Sequence, residues 1–310
     1  MANFYRNAFL IFNPQAGGLT RARGHRITRA TELLRSLGHN VTELPTERAH
    51  HATELARRAI SDSADLVIAA GGDGTINEVA NGMIGSETPL AILPAGTANV
   101  LAMEMRLHGG IRHAARQLHL MTPRRIAVGV FRPKQGEPRH FLLMAGAGFD
   151  ADIVRRVRPD LKKRLGKGAY WIASLSRVGA RVPQMNVKVN GDHLTTGFAV
   201  AARVRNYGGD LEIAREITLF DSDFEIAAFP GESTWPYGFY MGAIVLGAHA
   251  KLPNVFIKRS PTMDLTPVNG EPIYVQLDGE LAGQLPGRVE SVPSALTLLI
   301  PRDLPRRYGL

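Results

Sequence analysis

Along the first 125 or so residues the apolar positions switch between two periods. Ala8 to Phe12 is a continuous apolar run of strand length, after which Ile27, Ala30, Leu34 and Leu37 recur at helical spacing. Val41 to Leu44 predicts a second strand and residues 49–60 a second helix. Leu66 to Ala70 is apolar throughout, as a strand buried on both faces should be. Thr75 to Met83 predicts the next helix, and PLAILPAGTANVLAMEM (89–105) adds another strand, loop and helix. Alternating strands and helices with short connections predict a parallel sheet whose loops gather at one edge. Open α/β sheets bind their ligands at that edge. Glycine-bearing loops at 17–18, 71–74 and 96 would converge there.

Beyond Met121-Thr122-Pro123 the period changes to that of strands. RIAVGVF and RHFLLMAG flank the turn RPKQGEP, and MNVKVNGDHLTTGFAV predicts a hairpin turning at Asn190-Gly191. EIAAF, NVFIKR, MDLTPV, PIYVQLDG and ALTLLIP are further strands, interrupted by helices at 151–158 and 237–246. The expected fold is an α/β nucleotide-binding domain with a mostly parallel sheet, residues 1–125, followed by a mostly antiparallel β-sandwich, residues 126–300. Two domains would also supply a cleft for a second substrate.

Composition narrows the chemistry. With 310 residues, 45% of them hydrophobic, the chain can bury two cores. It has no cysteine, which excludes disulfides, thiolate zinc sites and cysteine nucleophiles. No apolar run approaches the ~20 residues of a spanning helix, and the first strand lacks the pattern of a signal peptide, so a cytoplasmic protein is expected. The formal charge of +9 favours an anionic partner, whether nucleotide, nucleic acid or acidic membrane.

The densest signal is LVIAAGGDGTINEVANG, residues 66–82. Its glycines sit between a strand and a helix, where exposed backbone N–H groups attract phosphate. No Gly-Lys-Ser/Thr follows, so it is not a P-loop, and it lacks the dinucleotide fingerprint. An aspartate, Asp73, beside a phosphate nest calls for a compensating cation, which points to ATP with Mg²⁺. A helix cap is the alternative role for Asp73.

Among other candidates, Glu280 in QLDGELAG is placed beyond a strand and a glycine, where it could serve a hydroxyl nucleophile as general base. Asp278 shares that turn, and spacing does not choose between them. Asn13 before Pro14 could face the phosphate edge, and Thr46 and Thr97 could donate hydroxyls or cap helices. Asp150 after AGAGF could likewise cap a helix, and Asp221 in DSD could belong to a solvated turn. The ten histidines form no metal signature. RRVRPDLKKRLGKGAYW, residues 155–171, reads as a solvated basic face or as reversible attachment to anionic lipid. No nucleic-acid-binding module accompanies it, so no nucleic acid partner is expected.

In order along nearly the whole chain, NPQAGG (13–18), GGDGTINEV (71–79), LPAGTAN (93–99), AGAGFDA (145–151), RNYGGD (205–210) and LDGE (277–280) resemble the diacylglycerol kinase catalytic family. The likeness is to its bacterial lipid kinases related to sphingosine kinases. GGDGT alone is shared with NAD kinases, which makes NAD the alternative acceptor; a non-catalytic lipid- or nucleotide-binding protein is a third reading. The resemblance implies an ATP-dependent kinase acting on a lipid alcohol, most naturally diacylglycerol, transiently at an anionic membrane surface, with a homodimer left open. It implies ATP contacts at Asn13, Pro14, Gly17, Thr46, Gly72, Asp73, Gly74, Thr75, Asn77, Glu78 and Thr97. It makes Glu280 the proton acceptor, supported by an acidic network with Asp150 and Asp221, and backbone carbonyls near Thr218 and Asp223 further Mg²⁺ ligands. It also implies that residues 301–310 return to the first domain. The chain departs from the family pattern at Val100, Arg215 and Ser222.

Overall fold

The computed structural model describes residues 4–16, 25–156, 179–207 and 211–309. Gly17 and most of the basic run, residues 157–171, lie outside these. The chain divides into two compact units, residues 1–127 with 293–310, and residues 128–292.

In the first unit, strands β1 (Ala8–Phe12), β2 (Val41–Pro45), β3 (Leu66–Gly71) and β4 (Leu90–Pro94) pair in parallel in the order β2-β1-β3-β4. Helices α1 (His25–Ser36), α2 (His51–Ser61), α3 (Asp73–Met83), α4 (Val100–Glu104) and α5 (Gly110–Gln117) connect or follow them. Every residue of β3 and β4 is buried, as their unbroken apolar runs require. Helix α3 begins at Asp73, two residues before the expected start, because Gly72 takes the extended N-cap conformation and releases the next residue into the helix.

Strand β5 (Met121–Pro133) leads into the second unit. There β6 (Arg139–Phe141), β7 (Met144–Gly148), helix α6 (Phe149–Arg156), β8 (Met185–Val189), β9 (Asp192–Thr196), β10 (Phe198–Ala202), β11 (Asn206–Tyr207), β12 (Leu211–Glu212) and β13 (Phe224–Phe229) follow in order. They continue through helix α7 (Trp235–Val245), β14 (Phe256–Ser260), β15 (Thr262–Pro267), β16 (Tyr274–Leu277), β17 (Glu280–Gln284) and β18 (Gly287–Pro301), to the short α8 (Leu304–Arg307). One sheet runs β14-β13-β10-β7-β16-β17, all antiparallel. Its inner side chains, including Ala145, Ala199, Phe224 and Val275, share a core with Met185, Val187, Met263 and Val289 from the antiparallel ladder of β8, β15 and the start of β18. This is a β-sandwich, its two apolar faces closed on each other.

The chain's local signals misplace some strand ends. RHFLLMAG is two strands, not one, because the N–H groups of Leu142, Leu143 and Met144 turn to the Asp278 carboxylate. ALTLLIP is only the end of the 15-residue β18, whose earlier half contains the polar GRVESVPS. The hairpin at Asn190-Gly191 has the positive φ at both residues that its turn needs. At the end of the chain Leu304 is buried and the Tyr308 hydroxyl donates to Glu104 Oε1 at 2.7 Å, within the first unit.

Candidate active site

The glycine loops of the first unit meet backbone to backbone. A Cβ on Gly96 would lie 2.4 Å from Gly72 Cα, so no other residue fits at 96 without separating the loops. Asn99 closes the Gly96 loop from the other side: its Oδ1 accepts from the Gly96 N–H at 2.7 Å and its Nδ2 donates to the Gly96 carbonyl at 2.8 Å. Asn99 itself is left-handed, φ 49°, a conformation asparagine tolerates. The result is a bare backbone surface at the carboxyl ends of β3 and β4, beside the first-turn N–H groups of α3, which have no acceptor within the helix.

Asp73 occupies that turn, half-buried, and its Oδ1 accepts from the Leu101 N–H at 3.3 Å. Burial pushes its carboxyl above the ordinary range, against the N–H groups of Val100, Leu101, Asp73 itself and Asn99. Asp73 therefore ties the loop after β3 to the start of α4. Val100 opens α4 as a buried residue, and its backbone N–H is part of this arrangement.

The other expected nucleotide contacts divide by position. Asn13 and Thr46 lie at the same sheet edge, with the Asn13 N–H on Ala70 O and the Thr46 N–H on Phe12 O. Asn13 Oδ1 accepts from the Gln15 N–H at 2.9 Å, an Asx turn that sets the exit around Pro14. Thr75 folds over Gly71, and Thr97 is exposed on the Gly96 loop. Gly74 lies in the first turn of α3, whereas Asn77 pairs with Asn81 one turn further along. Glu78 Oε1 accepts from the His50 N–H at the start of α2, so its carboxylate serves a helix N-terminus.

In the second unit the turn between β16 and β17 separates the two carboxylates that spacing alone leaves equivalent. Asp278, left-handed at φ 51°, accepts from the N–H groups of Leu142 (2.8 Å), Leu143 (2.9 Å) and Met144 (2.9 Å). Those bonds hold the turn to the strand across from it. Glu280 is exposed, 3.7 Å from Arg139 Nη2, while Arg139 Nη1 donates to Leu281 O at 2.9 Å. A side-chain relay lies beneath. Asp150 is buried in the first turn of α6, accepting from the Tyr207 hydroxyl and, at 2.7 Å, from Gln276 Nε2. Gln276 Oε1 in turn accepts from the Gly279 N–H at 2.7 Å, next to Glu280. Burial raises the Asp150 carboxyl above its ordinary range, with Tyr207 and Gln276 acting the other way. Gly146 leaves the space Asp150 needs: a Cβ there would lie 1.9 Å from its Oδ2.

Asp221, Thr218 and Asp223 come together, but around two arginines. Asp221 Oδ2 accepts from the Thr218 N–H (2.7 Å) and hydroxyl (2.6 Å), and Arg259 bridges the Asp221 and Asp223 carboxylates. Burial opposes ionisation of Asp221, yet the Thr218 hydroxyl and Arg259 outweigh it and hold the carboxyl below its usual range. The fully buried Arg203 guanidinium donates to the carbonyls of Asp221 (2.9 Å) and Asp223 (3.3 Å). Burial lowers its pKa to about 10, which leaves it cationic at neutral pH. The Asp221 and Asp223 oxygens thus meet guanidinium groups, while the Thr218 carbonyl accepts from the Asp221 N–H at 3.1 Å. In this arrangement the two arginines supply the positive charge that Asp221 and Asp223 call for. Among the described residues no three His, Cys, Asp or Glu side chains are gathered for a metal ion.

Tyr207 lies in the RNYGGD motif with no role assigned to it, and the local pattern assigns none to Gln276, Arg139 or Arg203. The one available signal was a polar residue inside an apolar strand, Gln276 in IYVQL and Arg203 after FAVAA. Arg215, where the family usually has proline, uses the N–H that proline lacks: it donates to the buried Glu225 at 3.0 Å.

Comparison with known proteins agrees with both units. The diacylglycerol kinase catalytic domain matches residues 7–131, and the YegS C-terminal NAD kinase beta sandwich-like domain matches residues 144–300. A diacylglycerol kinase of Mycobacterium tuberculosis is 28% identical over 274 residues, 87% of either chain. A Cronobacter sakazakii protein named "Probable lipid kinase YegS-like" is 31% identical, covering 96% of this chain and 97% of its own. A diacylglycerol kinase from Bacillus anthracis has the same fold, with a TM-score of 0.78 over 97% of this chain and 99% of that one, at 21% identity. The chain belongs to the diacylglycerol kinase catalytic, YegS-like family of lipid kinases.

Proposed function

We propose that this protein is an ATP-dependent lipid kinase that transfers the γ-phosphoryl group to a lipid hydroxyl, with diacylglycerol as the leading acceptor. The observation that carries the reading is the division of labour at the β16–β17 turn. Asp278 is committed to three backbone N–H groups, which leaves Glu280 as the accessible carboxylate. In this mechanism the bare backbone around Gly72, Gly74 and Gly96, with Asn13, Thr46 and Thr97 at its rim, receives the phosphates of ATP. Magnesium carried on those phosphates would neutralise charge during transfer. The lipid oxygen attacks the γ-phosphorus while Glu280 accepts the hydroxyl proton. As the new P–O bond forms, the bond to the β,γ-bridging oxygen breaks and ADP leaves. Asp150 acts at one remove, positioning the Glu280 turn through Gln276 and Gly279.

The test is incubation of the purified protein with labelled ATP, Mg²⁺ and micellar lipid alcohols: diacylglycerol, a sphingoid base, ceramide and phosphatidylglycerol, with NAD as a further arm. Label in diacylglycerol is expected. Label confined to NAD would make the protein an NAD kinase, and ATP binding without transfer to any acceptor would make it a non-catalytic binding protein.

A further inference from the structure

Helix α7 presents the wrong residues to water. From Ser233 to Ala250 the sequence contains no Asp, Glu, Lys or Arg. The inner side of the helix is accounted for: Tyr237, Ala243 and Ile244 are buried, and the Tyr237 ring stacks on Phe149 at 4.7 Å. Its hydroxyl donates to the Gly231 carbonyl at 3.0 Å, which fixes the helix against the sandwich. The outer side carries Trp235, Gly238, Phe239, Gly242, Val245 and Leu246, a stripe at helical spacing. Trp235 is 70% exposed, Phe239 64%, Val245 56% and Leu246 82%. A Cβ added to Gly238 or Gly242 would meet nothing within 4 Å, so packing within the protein does not require glycine there, although glycine weakens a helix. Four large apolar side chains thus flank a flat, open strip.

We propose that this face of α7 is the surface by which the protein rests on a lipid bilayer, with its side chains in the interfacial layer. The proposal rests on the lipid-kinase reading, which requires the protein to reach an acceptor held in a membrane. Three features favour a bilayer over a second copy of the chain. The exposed apolar area is on the order of 500 Å², taking ~150–250 Å² for a whole aromatic side chain. That is short of the ~800 Å² per partner of an ordinary stable interface and within the size range of functional patches. The stripe carries no polar or charged side chain with which to set the register of a protein partner, whereas a bilayer needs none. Electrostatics points the same way: the chain's charge is +9, and Arg215 and the exposed Lys251 stand at the carboxyl end of α7, Arg215 donating to Gly247 O at 2.7 Å. The acid nearest the patch in the chain, Glu232, lies outside the stripe, and Glu212 is 3.9 Å from Arg215. With 11 residues the helix can lie in the interface but not cross it.

The experiment uses phosphatidylcholine vesicles containing phosphatidylglycerol, without ATP. The chain has two tryptophans, so Trp171→Phe leaves Trp235 as the only one. Its emission should shift to the blue on adding vesicles and be quenched by bilayers containing brominated acyl chains. In flotation, Phe239→Ser combined with Leu246→Ser should lower the partition coefficient by roughly 10–100-fold, as expected for two large apolar groups left in water. Both positions are exposed, so the circular dichroism spectrum should be unchanged. The same variant should need more diacylglycerol in vesicles for half-maximal turnover while keeping its rate on a monomeric short-chain diacylglycerol. Unmoved tryptophan emission, or equal flotation of variant and parent, would overturn the proposal. So would a concentration-dependent dimer abolished by the two substitutions while flotation persisted. Partition is read without phosphoryl transfer, so failure of the kinase reading would appear in the acceptor panel and not here.

Discussion

The loop at Gly72 in the first unit and the turn at Glu280 in the second are both short, glycine-bearing and acidic, yet they are held in opposite ways. The first is shaped by what its side chains lack: Gly72 and Gly96 touch through their backbones, and Asp73 bonds N–H groups 28 positions ahead in the next loop of the same repeat. The second is shaped by side chains reaching to the neighbouring strand β7 and the helix after it, far away in sequence. Asp278 holds N–H groups 134 to 136 positions earlier, and Gln276 meets Asp150 across 126 positions. A phosphate site can be made of local backbone, whereas an acceptor carboxylate must be aimed by distant partners. The contrast also explains why two carboxylates two residues apart have different fates.

Replacing Asp278 by Asn should produce the largest change in stability. Asparagine keeps the left-handed backbone but cannot accept from all three N–H groups. A loss of about 2–4 kcal/mol in urea unfolding is expected, with activity falling alongside it. If stability were unchanged, the turn would not depend on this carboxylate. Gly96→Ala should come next, costing about 1–3 kcal/mol for the forced separation of the two loops. Where that cost falls on the binding-competent loops, ATP binding should weaken by roughly 5–150-fold, at 1.4 kcal/mol per factor of ten. Tight ATP binding by this variant would remove the backbone crossing from the nucleotide site.

A smaller effect should be visible only against pH. The folded-state pKa of Asp150 is raised, so the native state holds that proton more firmly than the unfolded chain does. The contribution therefore favours folding below the ordinary carboxylate range and is lost as pH rises through the raised value. Asp150→Asn keeps an acceptor for Tyr207 and should flatten this part of the stability profile, measured by urea unfolding across a pH series. An unchanged profile would mean that Asp150 does not titrate in this way. Smallest of all is an effect expected to be zero. With Arg203 and Arg259 on the oxygens of Asp221 and Asp223, chelation of divalent metal from nucleotide-free protein should leave the Tm unmoved. A drop in Tm on chelation would point to a resident metal.

The same contrast governs what could be read from the chain. The parallel sheet, its order of loops and the glycine nest follow from runs of apolar residues and from glycine positions, which are local properties. The strand break at Leu142, the assignment of Asp278 and the relay through Gln276 depend on contacts more than a hundred positions apart. No periodicity encodes them. The magnesium ligands expected at Thr218, Asp221 and Asp223 came from the resemblance alone. The arginines that meet these acids, from β14 and the residue after β10, are again distant in the chain. The departure at Arg215 rests on an equally unpatterned contact, its N–H donating to Glu225.

In the proposed mechanism Glu280, and not Asp278, activates the acceptor. That role is tested most directly by the turnover of Glu280→Gln on diacylglycerol, measured together with its ATP affinity and Tm. The kcat should fall by about 10²–10⁴-fold, while ATP binding and Tm stay at the parent values because the Glu280 side chain is exposed and its ion pair with Arg139 lies at the surface. A variant that turns over at the parent rate would contradict the mechanism.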